Sequence, residues 1–469
     1  MGQWSQILKK GVWIFLGIVW LMQGCVTTQG PSTPGQEPPR DRNKELGRAF
    51  LSEVLQEYQF VKDPEVTSLV TGIGRQIAAA QGADPTTYHF LVVKELQPNA
   101  FAIPGGYIFI TDSLLAKLRS PEEVAGVLAH EIAHVRRNHF FQDEDKLQAV
   151  NLATIAAILL SKGNPAVVAG GIAANVDLQL HYSRENESEA DTFAVQYLKK
   201  AGYDPRGLLQ SFETLAFYQQ FNTPDTPIYF STHPGLNERL KNLELLLRQP
   251  SEEPTTPSPA GRFVDWGRIT VGLQAQLQPL TEAPVLVRGV ADVAGNPERK
   301  QYLTGVAYLK MGNFAKAVPE YLAAVAANPG SAVYRADLAL SYFQLQKTEM
   351  ALSEAQEALK RDPHQATALV VLGRLEEHSG RFAEAIIFYE DVSGPLADDP
   401  LLHLRLAQSY GQVGDEARRA YHLGRYLRLD LKPLAAVREF KKAIELAADK
   451  SELAEKISQE LEEIKRDGI

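Results

Sequence analysis

The segment His130-Glu131-Ile132-Ala133-His134 sets two imidazoles four residues apart with a carboxylate beside the first. In a helix, residues at that spacing lie about 40° apart around the axis, so both rings project from one face toward one point and can bind one metal ion. Glu131 sits on the edge of the same face, near enough to accept a proton from a water activated by that ion without being a ligand. This is the geometry of a zinc peptidase, but so short a pattern also arises by chance, and its surroundings decide the matter.

A third ligand should come from a later helix. The dense acidic run Ser183-Arg184-Glu185-Asn186-Glu187-Ser188-Glu189-Ala190-Asp191 is the candidate. Glu187 and Asp191 lie one turn apart on one face, where Ala190 and Ala194 leave room for close packing. Two inward-facing carboxylates are costly without a cation. Glu187 is therefore expected as the third metal ligand. Asp191 is expected behind it, orienting one of the histidines through its other ring nitrogen. Glu185 and Glu189 read as solvated helix charges. His139, five residues beyond His134, reads as a surface residue pointing elsewhere, and His89 and His181 carry no distinct signal.

The helix that positions the motif has a clear start. Ser120-Pro121-Glu122-Glu123 combines an N-cap serine, a proline at the first helical position and a glutamate three residues after the cap. Val124, Val127, Leu128 and Val135 supply its buried face. Ahead of it, Lys44 to Tyr58 and Val66 to Ala80 show helical spacing. His89 to Val93, Ala100 to Ile103 and Tyr107 to Thr111 read as a small antiparallel sheet. Tyr107 to Ile110 is either a plain core strand or a strand that takes an extended substrate as its neighbour. Beyond the motif, Val150 to Leu160 and Ala166 to Ala174 are apolar but too short to span a membrane. They read as a helical hairpin packed in the domain, with a membrane-dipping or substrate-shielding hairpin as the alternative.

At 469 residues and 45% hydrophobic content, the chain can build two or three globular domains. A net charge of −9 leaves no basic excess to neutralise phosphates, which excludes a nucleic-acid partner. Lys9 and Lys10 precede an apolar run from Gly11 to Met22, an export signal in form. Cys25 is the single cysteine of the chain and follows this run directly, as at a bacterial lipoprotein cleavage site. Met22 and Gln23 depart from that site's usual residues, so an ordinary signal peptide and an uncleaved anchor remain alternatives. Val26, not Asp, after the cysteine suggests the outer membrane. Thr27 to Pro39 has the composition of a tether, and Pro250 to Pro259 that of a domain boundary. Gly261 to Pro297 shows no decisive periodicity.

HEIAH, ESEAD some fifty residues later, NAFAIPGGYIFIT and YSRENESEAD together resemble the metallopeptidases related to the CAAX prenyl endopeptidase and HtpX. The resemblance covers most of the first domain and implies a gluzincin-type fold. Zinc would be held by His130, His134 and Glu187, with Glu131 as general base. Ser231-Thr232-His233-Pro234 with Arg239 resembles an element of the soluble, periplasmic BepA-like branch. There the histidine can approach the metal as a plug, and histidine and arginine lie near the substrate oxyanion. His233 and Arg239 thus join the catalytic candidates. Without the resemblance, His233 is a residue before a proline and Arg239 a solvated helix charge.

A repeat of period 34 occupies the second half. Gly305, Ala339, Gly373 and Ala407 fall in register, as do Tyr308, Tyr342, Glu376 and Tyr410, then Ala317, Ala351 and Ala385, then Pro329 and Pro363. This is the tetratricopeptide period, weaker in the fourth unit where Arg419 breaks the alanine column. Lys432 to Ala448 and Ser451 to Lys465 read as closing helices. His364, His378, His403 and His422 are scattered and read as surface or packing residues.

The expected protein is mainly α. Residues 1–25 form a lipoprotein-type signal, 26–40 a tether, 41–249 an α+β zinc metallopeptidase domain, 250–297 an inter-domain segment and 298–469 an all-α tetratricopeptide superhelix. It would be a periplasmic endopeptidase anchored to the outer membrane through Cys25, with one Zn2+ per chain. Its substrates would be unfolded or misassembled envelope proteins, and its repeats would bind them or the outer-membrane assembly machinery. The alternative is a chaperone or scaffold with a latent metal site.

Overall fold

Asp63 caps the first well-defined helix, α1 (Pro64–Ala80), accepting from the Glu65 amide at 3.1 Å. The computed structural model describes residues 58–139, 183–221, 233–248, 265–277, 297–447 and 451–466, with 47, 48, 50–52, 54 and 55. The signal and tether with Cys25, the apolar runs 150–160 and 166–174, His181, Ser231 and Thr232 lie outside the described residues. Those described between 47 and 55 are helical.

Strands β1 (Gln59–Phe60), β2 (His89–Lys94), β3 (Ala100–Ile103) and β4 (Tyr107–Thr111) form one sheet in the order β1-β2-β4-β3. The sheet is mixed, which corrects the expectation of a wholly antiparallel one. β2 and β4 pair in parallel, with His89 opposite Tyr107, while the other two pairings are antiparallel. The cause is the connection 95–99, which crosses the end of β4 instead of turning beside β2. It is fastened there by Glu95 N donating to Asp112 Oδ1 and by Asn99 N donating to Thr111 Oγ1, both at 2.9 Å. β4 is paired on both sides and wholly buried, so Tyr107–Ile110 is a core strand. One sheet face packs on Phe50 and Val54, the other on α1 and the motif helix.

That helix, α2 (Pro121–Arg136), starts as its cap predicts, with Ser120 Oγ accepting from Glu123 N. The Glu123 carboxylate in turn accepts from Arg119 N at 3.1 Å. Among the described residues the domain also contains a short helix at Asp112–Leu115 and the helices α3 (Arg184–Ala201), α4 (Arg206–Phe221) and α5 (Leu236–Leu247). α2 and the start of α4 touch backbone to backbone. A Cβ on Gly126 would lie 2.5 Å from the Leu208 amide nitrogen, and one on Gly207 would overlap the Glu122 carbonyl.

The stretch without decisive periodicity contains a helix, α6 (Trp266–Leu277). Its apolar residues serve two cores at once. Ile269 and Leu273 pack into the first domain, Val271 and Ala275 into the repeats, so no single stripe marks it. Trp266 Nε1 donates to the Arg119 carbonyl at 2.8 Å, just ahead of the α2 cap. Arg268 donates to Glu65 at 2.8 Å, to Tyr302 Oη at 2.6 Å and to Asp337, linking α1 to the repeats.

The repeats are α7 (Pro297–Lys310), α8 (Phe314–Ala327), α9 (Ala332–Gln344), α10 (Thr348–Leu359), α11 (Ala366–His378), α12 (Phe382–Glu390), α13 (Pro400–Gln412) and α14 (Glu416–Leu429). α15 (Pro433–Leu446) and α16 (Glu452–Arg466) close the array. The small-residue column works as expected: Gly305 and Gly373 lie against the rings of Tyr321 and Tyr389 in the following helices.

His403 and His422 form a buried pair between α13 and α14, with their Nδ1 atoms 3.1 Å apart. Burial, then the Arg425 charge, pushes His403 down to about 2 and His422 to about 3. Both rings stay neutral in the folded array, whereas an unfolded chain protonates them near 6.5. Stability is therefore full above pH 6.5 and falls as the pH drops from there toward 3, by up to about 1.4 kcal/mol per pH unit for each ring. Replacing both by Gln should flatten the fall of the unfolding midpoint between pH 7 and 5, as measured by denaturant titration.

Candidate metal centre

His130, Glu131 and His134 lie in the second half of α2, all buried. The Nε2 atoms of the two histidines are 3.0 Å apart, as their spacing requires. Ser183 caps α3 by accepting from Asn186 N at 3.1 Å, and this helix aims Glu187 at the same point. The Glu187 carboxylate lies 3.4 Å from His130 Nε2 and 3.3 Å from His134 Nε2. His233, just before α5, places Nδ1 3.0 Å from Glu187 Oε1 and 3.4 Å from His130 Nε2.

Behind these four, Asp191 Oδ1 lies 3.0 Å from His130 Nδ1, the contact expected of it. Arg239 is no solvated charge. It is 3% exposed, lies over the Phe212 ring at 4.4 Å, donates to Asp191 from Nε and Nη2 at 2.8 and 2.7 Å, and pairs with Glu187.

His139 is the residue whose position the sequence reading missed. It is 5% exposed, with Nδ1 2.9 Å from His134 Nδ1 and Nε2 2.9 Å from Glu189 Oε2. Glu189 also takes Arg137 Nε at 2.8 Å, so it is not a merely solvated charge. Helical spacing misplaces His139 because α2 ends at Arg136 and Asn138 adopts a left-handed φ of 56°, folding the next ring back. The asparagine is the local signal for that turn.

Burial lowers the basicity of His130, as does Arg239, but hydrogen bonds to Asp191 and Glu187 prevail and raise it to about 9. Burial alone would raise Glu187, yet His233 and Arg239 hold it well below the usual carboxylate range. Burial raises Glu131 and keeps His134 neutral.

His130, His134, Glu187 and His233 offer ligand atoms that all lie within 4.8 Å of one another. Nitrogen and oxygen ligands of a tetrahedral zinc, about 2.0–2.1 Å from the ion, stand about 3.3 Å apart. The separations of 3.0–3.4 Å among His130, His134 and Glu187, and from His233 to His130 and Glu187, are close to that spacing. Both oxygens of the buried Glu131 accept no hydrogen bond among the described residues, which is unusual for a carboxylate and suits one that works on a bound water. The residues present fit a zinc ion.

Comparison with known proteins agrees. Residues 64–246 match Peptidase family M48, and residues 302–349 and 336–400 match the tetratricopeptide repeat. A Vibrio cholerae relative is 30% identical over 217 residues, 45% of each chain. The Beta-barrel assembly-enhancing protease of Yersinia pestis is 24% identical over 394 residues, covering 82% of this chain and 74% of that one. Metalloprotease YcaL of Escherichia coli K12 is 30% identical over 188 residues, covering 38% of this chain and 72% of that one. A buried donor set inside the matched region thus leads to one conclusion: the chain belongs to peptidase family M48, as a metallopeptidase domain joined to tetratricopeptide repeats.

Proposed function

We propose that this protein is an exported, zinc-dependent endopeptidase that removes unfolded or misassembled envelope proteins, outer-membrane β-barrels among them. The observation that carries the chemistry is the buried cluster of His130, His134, Glu187 and His233, with ligand atoms within 4.8 Å of one another, beside Glu131. The substrate class follows the names of the relatives, one of which aligns over 82% of this chain. The repeats would present the substrate or dock to assembly machinery. Cys25 would carry the lipid that holds the protein at the periplasmic side of the outer membrane. No helix among the described residues is long and apolar enough to cross a membrane.

Held by His130, His134 and Glu187, zinc would supply Lewis acidity and acidify a water. Glu131, its basicity raised by burial, takes the proton of the attacking water and returns it to the leaving amine. Asp191 holds His130 in the tautomer that ligates through Nε2. His233 and Arg239 are the donors assigned to the substrate oxyanion, and Arg239 also holds Glu187 and Asp191 in place.

One observation favours a second reading, a scaffold with a latent metal site: His233 stands where a fourth ligand would, and catalysis needs an open position. His233→Ala separates these roles. With the zinc content held at the parent's value, degradation of an unfolded β-barrel protein should rise several-fold if His233 plugs the site. It should fall if His233 stabilises the oxyanion. Absence of degradation by parent and variant alike, both zinc-loaded, would sink the peptidase reading.

A further inference from the structure

We propose that His139 is a positioning residue that sets the metal-binding tautomer of His134 through a relay ending on the Glu189–Arg137 ion pair. The inference rests on the reading in which His134 ligates zinc through Nε2. The two histidines of the motif are oriented differently. His130 Nδ1 meets the Asp191 carboxylate directly at 3.0 Å, whereas His134 Nδ1 meets another imidazole, His139 Nδ1, at 2.9 Å.

That contact dictates where the protons sit. If His134 ligates through Nε2, its Nδ1 carries the proton and donates, so His139 Nδ1 must accept. His139 then bears its proton on Nε2 and donates to Glu189 Oε2 at 2.9 Å. The Glu189 carboxylate is held by Arg137, with Nε at 2.8 Å and Nη2 at 2.6 Å, and Arg137 lies over the Phe193 ring at 4.7 Å. Every link is compatible with the next in only one arrangement. An anion at the end of the relay therefore selects the tautomer of a ligand two side chains away. The geometry exists because α2 stops at Arg136 and the left-handed Asn138 turns His139 back, while Glu189 faces it from the first half of α3.

Two substitutions divide the ring's functions. In His139→Asn the amide oxygen can occupy the place of Nδ1 and accept from His134. In His139→Gln the amide reaches instead toward Glu189 and leaves His134 Nδ1 without that acceptor. The readout is zinc affinity by competition with a chromophoric chelator, together with the unfolding midpoint of each metal-free protein. His139→Gln should weaken zinc binding roughly 10–100-fold, the usual cost of losing such an orienting partner. His139→Asn should stay near the parent, and the metal-free midpoints of the two variants should be alike. Equal zinc affinity in His139→Gln and parent overturns the proposal. So does an equal loss in both variants that tracks their metal-free stability, since that marks a packing role. A parent that binds no zinc sinks the metal reading itself and this inference with it.

Discussion

Glu131→Gln should leave the protein folded and able to bind zinc while slowing degradation of an unfolded envelope protein by about 10²–10⁴-fold, the usual contribution of a positioned general base. The substitution preserves shape, and Glu131 is not among the four grouped ligand donors, so metal content should hold at the parent's value. It also removes a carboxylate that is fully buried and accepts no hydrogen bond among the described residues. Its pKa is raised by burial, so the charged form is carried at a cost that an amide avoids. The unfolding midpoint of the variant should therefore equal or exceed that of the parent. Single-turnover cleavage and zinc content, measured on the same preparations, check both halves. A drop of less than tenfold would remove Glu131 from the mechanism. Full restoration of a deletion strain by Glu131→Gln would assign the biological role to binding.

The second large effect lies far from the metal centre. Arg268→Ala should destabilise the folded chain by about 3–5 kcal/mol, the typical result of removing one partner from a buried ion pair. Asp337 is 1% exposed and would be left with Tyr302 Oη at 3.1 Å as its remaining polar contact from that cluster. Glu65 on α1 would lose its guanidinium partner at the same time. Because Arg268 sits on α6, which feeds two hydrophobic cores, the single unfolding transition should also split toward two, one for the peptidase domain and one for the repeats. The check is denaturant unfolding of Arg268→Ala, of Asp337→Leu and of the double variant. The double should recover part of the loss, since both members of the pair are then gone. A strictly additive double variant would show that Arg268 and Asp337 do not stabilise each other.

Much of the peptidase domain was legible in the chain because its information is local. Ser120, Pro121 and Glu123 mark the start of α2, four-residue spacing brings His130 and His134 together, and a one-turn offset puts Glu187 and Asp191 on one face. The 34-residue period likewise revealed helix pairs, since Gly305 and Gly373 answer to the rings of Tyr321 and Tyr389 in the next helices. Legibility stopped where a residue's neighbours come from elsewhere. Helix α6 has apolar residues on two sides because two cores flank it, and that dilutes the stripe a sequence reader looks for.

By itself, then, the sequence determined the motif helix, the shared face of Glu187 and Asp191 and the repeat array, all consequences of helical period and capping chemistry. Tertiary structure alone decided the parallel pairing of β2 with β4, the burial of Arg239 across Asp191 and Glu187, and the return of His139 onto His134. The reason is physical. Hydrogen bonding within a few residues is fixed by backbone geometry, whereas Arg239 meets His130 across 109 positions, a meeting that only the packed helices specify.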